Sequence, residues 1–146
     1  MKTYNRRGGF THSDTPYRSG LEDKLAAQLK TAGVKATYEQ HRIKYVVPEK
    51  WHTYTPDFIL PNNIIIEGKG VFDSDDRKKH LLIKKQYPNL EIRFVFSNPN
   101  QKLYKGSKTT YGDWCEKYDF EYAKQYIPAE WISDNSIYSR VGLIEK

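Results

Sequence analysis

The sequence predicts a mixed α/β fold, in which a mixed sheet is flanked by helices. The chain has 146 residues, a length typical of one domain. Its apolar patterns follow the order helix, strands, helix, strand, helix, and the apolar run at residues 64–66 is typical of a buried strand. Because helices and sheets each have an apolar face to bury, this order indicates helices packed against the sheet.

The first helix is predicted over residues 19–32. Ser19 followed by Glu22 matches a capping box, and Gly33 is a suitable C-terminal stop. An apolar ridge at positions i, i+4 and i+8 consists of Leu21, Leu25 and Leu29. On a helical wheel Glu22 falls on the side of this ridge. It therefore has two interpretations, a residue that caps the backbone or a functional carboxylate.

The next segments predict strands. Residues 36–47 predict one long strand, and its polar middle, residues 39–42, indicates an exposed crossing or a bridge between subunits. Residues 48–56, flanked by prolines, are expected to be rich in turns. Residues 58–60 and 64–67 predict two further strands, and the Asn-rich connection between them suits a tight hairpin.

The remaining elements alternate between helix and strand. A second helix is predicted over residues 74–87, with Ser74 as its N-cap and Pro88 after its end. Two aspartates lie in its first turn, where the helix dipole favours negative charge. Residues 91–96 predict another core strand, and residues 111–118 predict a short helix. Residues 128–132 are expected to begin a last short turn.

Composition and charge narrow the class of protein. A formal net charge of +6 favours polyanionic partners, chiefly nucleic acid. Cys115 is the only cysteine, which excludes an internal disulfide and a cysteine-based zinc site. The N-terminal residues do not resemble a signal peptide, and no apolar run approaches the ~18 residues of a membrane span. We therefore expect a cytoplasmic protein with no membrane partner.

The main chemical signal combines Asp57, Glu67 and Lys69 at the spacing of metal-dependent nucleases of the PD-(D/E)xK kind. Side chains alternate along a strand, so Glu67 and Lys69 are expected on the same side. Burying such charges is costly, and metal-assisted phosphodiester hydrolysis gives a reason for it. Asp57 and Glu67 are the predicted ligands of Mg²⁺, with the backbone carbonyl of Gly68 as a further ligand and Glu22 as a third candidate carboxylate.

Each of these residues also has an ordinary structural interpretation. An Asp after a proline, as at position 57, is common in turns. Glu67 and Lys69 at the end of a strand are compatible with a surface salt bridge, and Glu22 with a capping role alone. The role of Lys69 also stays open, since it could position or deprotonate the attacking water or stabilise charge on the phosphate.

A basic run opens the second predicted helix soon after this motif. Its candidate contacts to DNA phosphates are Arg77, Lys78, Lys79 and His80, and Lys105 is a further candidate in a later segment. The alternative is a solvated helix face. Phosphate contacts fix position without reading bases, and binding through them falls steeply with salt.

Six sequence blocks in the same order resemble the phage endonuclease I family, the Holliday-junction resolving enzymes of short-tailed phages. The blocks are RSGLEDK (18–24), YTPDF (54–58), EGKG (67–70), SDDRKKH (74–80), LYKGS (103–107) and IPAEWI (127–132). The similarity covers about residues 17–132, the predicted nuclease domain. It lies between a flexible basic arm at residues 1–16 and a C-terminal tail with little pattern at residues 133–146.

The resemblance implies a restriction-endonuclease-like fold in an intertwined, domain-swapped homodimer, with the strand near residues 38–47 helping to form a bridge. It implies a catalytic set of Glu22, Asp57, Glu67 and Lys69, in which Glu22 of one chain completes the site of the other. It also implies Mg²⁺ as the cofactor, with Mn²⁺ able to substitute. The implied activity is paired nicking of four-way and branched DNA in the cytoplasm of an infected host cell.

The chain departs from the family pattern at two places. Gly68 stands where a Thr is expected, although a carbonyl ligand survives that change. The tail carries only Arg140 and Lys146 as basic residues, which weakens the case for DNA contacts there. Two alternative functions remain, a sequence-specific, restriction-like nuclease of duplex DNA and a non-catalytic junction-binding protein. The intact catalytic set argues against the second.

Overall fold

The structure of the protein is a computed structural model that describes residues 19–146, so the predicted arm at residues 1–16 lies outside the described residues. The helices in this range are α1 (Gly20–Thr31), α2 (Ser74–Gln86), α3 (Tyr111–Lys117) and α4 (Ala129–Ile132). The strands are β1 (Thr37–Tyr38), β2 (His41–Val47), β3 (Lys50–Tyr54), β4 (Phe58–Ile59), β5 (Ile65–Lys69), β6 (Ile92–Phe96), β7 (Tyr122–Lys124) and β8 (Leu143–Glu145). Within residues 19–146, no helix combines the length and the apolar character needed to cross a membrane.

The strands form two sheets, and the larger one is mixed as predicted. Its order is β1-β4-β5-β6-β7, with antiparallel pairing from β1 to β5 and parallel pairing from β5 to β7. The smaller sheet is antiparallel, with the order β3-β2-β8. The expected hairpin between β4 and β5 is confirmed, and the mixed α/β class is confirmed with it.

The predicted long strand over residues 36–47 is wrong in one respect, because it breaks at Glu39. Glu39 has a φ of 49°, in the left-handed region that disfavours residues with a side chain. The break lets β1 pair with β4 in the larger sheet while β2 enters the smaller sheet. The polar middle of this segment is therefore the crossing between two sheets.

Three strands and one helix cap differ from the prediction. The stretch expected to be rich in turns contains β3, whose first four residues are exposed, so its apolar alternation is weak. The short strands β7 and β8 also carried too little pattern to be predicted.

The N-cap of α2 is Asp73 instead of Ser74, since the Asp73 carboxylate accepts a hydrogen bond from the Asp76 backbone N–H at 2.8 Å.

The larger sheet is buried on both faces. On one face, against α2 and α3, lies an aromatic cluster that includes Phe72, Phe94, Phe96, Trp114 and Phe120. On the other face, the α1 ridge packs with Ile66, Val95 and Trp131. This double burial explains why β5 and β6 have no exposed residue. Any polar group on β5 is consequently held inside the protein.

Residues 133–146, expected to form a tail, pack against the sheets. The Asn63 side chain donates to the Tyr138 carbonyl at 2.9 Å, and Arg140 donates to Asn63 Oδ1 at 2.8 Å. Gly142 has a φ of 105°, and a Cβ there would lie 2.6 Å from the ring of Tyr87. These contacts bring β8 alongside β2 and complete the smaller sheet.

Candidate active site

The four predicted catalytic side chains, Glu22, Asp57, Glu67 and Lys69, are each at most 3% exposed. Glu67 and Lys69 lie at the carboxyl end of β5, the middle strand of the larger sheet. Lys69 Nζ approaches Glu67 Oε2 at 3.5 Å, so the two side chains do share one side of the strand. Their burial excludes the alternative of a surface salt bridge.

Asp57 is fixed against β5 by two hydrogen bonds. Asp57 Oδ2 accepts from the Gly68 backbone N–H at 2.9 Å, and the Asp57 backbone N–H donates to Glu67 Oε1 at 3.3 Å. These bonds place the Asp57 carboxylate beside the strand that carries Glu67. Asp57 is therefore more than a turn residue, because its side chain binds the Gly68 backbone and its own backbone binds Glu67.

Glu22 faces the interior from the first turn of α1. Its backbone N–H donates to Ser19 Oγ at 3.1 Å, so the predicted N-cap is confirmed. Its carboxylate is directed elsewhere, since Glu22 Oε2 accepts from the Tyr38 hydroxyl at 2.5 Å. Burial and the hydrogen bonds to Glu22 and Glu39 raise the pKa of the Tyr38 phenol, which keeps it a donor. The Glu22 backbone therefore takes part in the helix cap, while the Glu22 carboxylate binds Tyr38 in the interior.

Glu39 is a site residue that the sequence analysis did not identify. One carboxylate oxygen from each of Glu22, Glu39 and Asp57 lies within 4.8 Å of the others. The Glu39 backbone N–H donates to the Asp57 carbonyl at 3.1 Å, which holds the crossing against the site. A left-handed residue beside such a cluster is typical of backbone strain retained at functional sites.

The donor set suits a hard divalent cation. The three clustered carboxylates offer oxygen ligands only, the type that Mg²⁺ prefers. The Glu67 carboxylate is joined to Asp57 through the hydrogen bond from the Asp57 backbone N–H. Asp57 consequently belongs both to the acidic cluster and to the pair formed by Glu67 and Lys69.

Tyr54, at the end of β3, orients the Glu67 carboxylate. Its hydroxyl donates to Glu67 Oε1 at 2.8 Å inside the core. Burial, and then the negative charges of Glu67 and Asp57, hold the pKa of the Tyr54 phenol well above its usual value. Tyr54 therefore remains a hydrogen-bond donor, and it fixes one oxygen of Glu67 in place.

Lys69 lies between two carboxylates. Besides Glu67, it contacts Asp76 Oδ1 at 3.0 Å. Asp76 also approaches the Lys79 ammonium at 3.6 Å, which links the site to α2. Asp76 was predicted only as a helix-dipole residue, and its contact with Lys69 follows from the packing of α2 beside the end of β5.

Gly68 leaves a space that the apolar ridge of α1 occupies. A Cβ at this position would lie 3.1 Å from Leu25 Cδ1 and 3.4 Å from Leu21 Cδ2. A larger residue there would require these leucines to shift by a few tenths of an ångström. The glycine that replaces the expected Thr at position 68 therefore allows α1 to pack closely against β5. The same packing brings Glu22 to the site.

The predicted DNA contacts differ in accessibility. Lys78 and Lys105 are exposed, whereas Arg77 and Lys79 are half-buried. Arg77 donates to the Phe72 carbonyl at 2.6 Å, and Lys79 lies 5.1 Å from the centre of the Tyr54 ring.

His80 is fully buried, so the prediction that it contacts phosphate is wrong. It packs edge-on against Tyr54 and Phe94, with ring centroids 4.9 and 4.8 Å away. Neither ring nitrogen has a hydrogen-bond partner among the described residues. Burial lowers the pKa of His80 to about 3, so the imidazole is neutral at physiological pH.

Fold and site together define a mixed α/β protein with carboxylates and a lysine gathered at the middle strand of its larger sheet. Comparison with known families identifies the group: residues 1–146 match the family described as Phage endonuclease I, and the chain belongs to that family.

Two relatives cover most of the chain. The chain is 57% identical to Endonuclease I of Escherichia phage T7 over 118 residues. These residues cover 81% of this chain and 79% of the relative. The chain is 58% identical over 118 residues to Endodeoxyribonuclease 1 of Enterobacteria phage T3, 81% of this chain and 78% of the relative. The resemblance noted in the sequence is thereby confirmed.

Proposed function

We propose that this protein is a metal-dependent endonuclease that cuts branched DNA, especially four-way junctions. The observation that carries the proposal is the position of Asp57. Its carboxylate belongs to the acidic cluster with Glu22 and Glu39, and its backbone N–H donates to Glu67, which pairs with Lys69. Membership of the phage endonuclease I family and a net charge of +6 support DNA as the substrate.

Glu22, Asp57 and Glu67 would hold the cation, and Glu39 is the additional carboxylate that the acidic cluster offers. We propose that the cation is Mg²⁺, with Mn²⁺ able to replace it. The Gly68 carbonyl is a further proposed ligand. A bound divalent cation supplies Lewis-acid stabilisation of charge on the phosphate and lowers the pKa of water. Tyr54 and the Asp57 backbone N–H hold Glu67 in a fixed orientation, so the ligands are arranged before the substrate arrives.

Lys69 would act on the attacking water or on the phosphate. Its contacts with Glu67 and Asp76 fix its position near the ligands. A charged Lys69 orients the water and stabilises negative charge as the phosphorus–oxygen bonds form and break. The opening of the site to the phosphate would lie near α2, where Lys78 is exposed.

The proposed functional unit is a homodimer that exchanges its N-terminal elements. In the single chain described, Glu22 and Asp57 belong to the same polypeptide. If α1 and β1 exchanged between two copies about the break at Glu39, the same contacts would form between subunits. A two-fold axis would then relate two equivalent sites, as paired nicks in opposing strands require.

The decisive experiment compares a four-way junction with a linear duplex of the same sequence, in Mg²⁺ or in a chelator. We expect the wild-type protein to nick the junction in pairs, only with the metal. Lys69→Ala should bind the junction but cut it at least about 100-fold more slowly. Lys30→Ala, which changes an exposed lysine on α1, is the matched control and should cut normally.

Each alternative function predicts a different result in that experiment. Equal cutting of the linear duplex would support a restriction-like nuclease and overturn the assignment to branched DNA. Junction binding without cutting at any Mg²⁺ concentration would support a non-catalytic binding protein.

A further inference from the structure

An open groove of about 610 Å³ lies between α2 and the inner face of the smaller sheet. Its size falls within the roughly 300–1,000 Å³ range of small-molecule sites. Apolar atoms form most of its lining, which includes Tyr45, Val47, Leu81 and Leu82. The Gln86 side chain exchanges two hydrogen bonds of 2.7 Å with the Val46 backbone and so joins the end of α2 to β2. The two walls of the groove are therefore held together by hydrogen bonds between α2 and β2.

Aromatic rings line the strand side of this groove. Tyr45 and His52 lie opposite each other on β2 and β3, and their ring centroids are 5.7 Å apart. His52 is exposed, so part of its ring is available to a ligand. Unstacked nucleobases bind such rings regardless of sequence, because every base has a π face.

Lysines form the helix side of the groove. Lys78, Lys79 and Lys85 line it, and Asp75 is its acidic residue. Lys78 and Lys85 are exposed and lie seven residues apart, close to two helical turns, so they share one face of α2. An apolar floor with a cationic rim matches a nucleotide, which has an apolar base and an anionic phosphate.

The groove adjoins the candidate active site through two paths. His52 and Tyr54 point to the same side of β3 and are two residues, or about 7 Å, apart. On the helix side, Lys79 in the groove lining contacts Asp76, which contacts Lys69. A DNA strand with a phosphate at Lys69 could therefore place a neighbouring nucleotide in the groove.

We propose that this groove receives one unstacked nucleotide of branched DNA, next to the phosphate that is cut. This inference rests on the proposed function and adds a feature of the substrate that the site recognises. The base lies against His52, Tyr45 and Leu82, and the flanking phosphates lie at Lys78 and Lys85. Where the arms of a junction open, the bases at the branch lose a stacking neighbour, so their removal from the stack costs less free energy. The groove thereby favours branched DNA over linear DNA.

The test uses the full chain in a chelator and measures binding to a four-way junction and to a linear duplex. The junctions carry the fluorescent base 2-aminopurine, placed in turn at each nucleotide around the branch. We expect its fluorescence to rise on binding at one nucleotide position of a junction strand, because unstacking relieves quenching. The duplex should show no rise.

Two kinds of groove variant separate base contacts from phosphate contacts. His52→Ala should weaken junction binding about tenfold, leave duplex binding unchanged, and leave the salt dependence unchanged. Lys78→Gln and Lys85→Gln should each lower the slope of log affinity against log salt by about 1. Lys30→Gln, on α1, is the charge-matched control and should change neither property.

The outcomes distinguish the inference from the function on which it rests. Suppose the wild-type protein cuts the junction in Mg²⁺, yet no 2-aminopurine position brightens and His52→Ala binds as the wild type does. The groove inference is then overturned and the proposed function stands. A wild-type protein that neither binds nor cuts the junction overturns both. Circular dichroism of His52→Ala confirms that the variant is folded.

Discussion

The two halves of the candidate site are built in different ways. The half on the larger sheet consists of Glu67 and Lys69 at the end of the central strand, and it is fixed by their ion pair and by a buried hydrogen bond from Tyr54 of the smaller sheet. The half on the N-terminal segment, Glu22 and Glu39, reaches the site through one helix and a break between two sheets. The first half is a local motif, whereas the second depends on the path of the chain. Asp57 joins the two.

The largest expected effect comes from the residue that both halves share. Asp57→Asn should lower the cutting rate by about 1,000-fold, on the order of 4 kcal/mol of transition-state stabilisation. It should also raise Tm by about 3 °C, because one negative charge leaves the cluster with Glu22 and Glu39. Nicking assays and thermal melts of the metal-free protein measure the two effects. A variant that lost both activity and stability would show that Asp57 is mainly structural.

The sheet half is tested by removing one hydroxyl. Tyr54→Phe leaves Glu67 Oε1 without its 2.8 Å donor, so the Mg²⁺ concentration for half-maximal cutting should rise by about 10- to 100-fold. The rate at saturating Mg²⁺ should fall much less. Tyr126→Phe, which changes an exposed tyrosine, is the control. An unchanged Mg²⁺ dependence in Tyr54→Phe would contradict the role of Tyr54 in orienting Glu67.

The N-terminal half is tested at Glu39. Glu39→Gln removes the charge but keeps the size, and we expect about tenfold slower cutting with a weaker response to Mg²⁺. Glu39→Gly removes the same charge and relieves the left-handed strain, so it should cut as slowly but unfold at a higher temperature. If both variants cut at the wild-type rate, the site does not include Glu39.

The smallest expected effect on DNA binding concerns His80, which packs against Tyr54. His80→Phe should leave DNA affinity unchanged, because no part of His80 reaches the surface. The folded protein keeps His80 neutral down to a pKa of about 3, whereas an unfolded chain protonates histidine below about pH 6.5. The unfolded state therefore binds more protons between these values, and the wild type loses stability as the pH falls through them.

Urea unfolding at a series of pH values measures this difference. The free energy of unfolding of His80→Phe, relative to the wild type, should rise as the pH falls from about 6 to about 4, by at most about 1.4 kcal/mol per pH unit. A constant difference across that range would mean that His80 titrates normally in the folded protein.

The sequence allowed the sheet half to be predicted and only part of the N-terminal half. Glu67 and Lys69 follow from their spacing on one strand, Asp57 follows from its place in the same short sequence motif, and the helical wheel correctly placed Glu22 on the inner side of α1. The distance between Glu39 and Asp57 in the sequence does not indicate that they are neighbours, because their proximity depends on β1 pairing with β4. Tyr54 and Asp76 were missed for the same reason, as their partners lie on other elements.

The errors elsewhere have local causes. His80 was grouped with the basic run before it, yet it lies three residues before Ile83, and helical periodicity places both on the buried face of α2. β3 was missed because four of its five residues are exposed and polar or aromatic, which is typical of an edge strand. A single sequence does not indicate that such a segment has a partner.

The pairing of β8 with β2 determines when the protein can finish folding during its synthesis. His41 lies opposite Glu145, so the ribosome must add about a hundred residues after β2 before its second neighbour exists. At roughly 5–20 residues per second this takes several seconds, during which one edge of β2 has no strand beside it. The nascent chain carries this open strand edge until β8 is made, which makes the last residues of the sequence the ones that protect β2 from pairing with other strands.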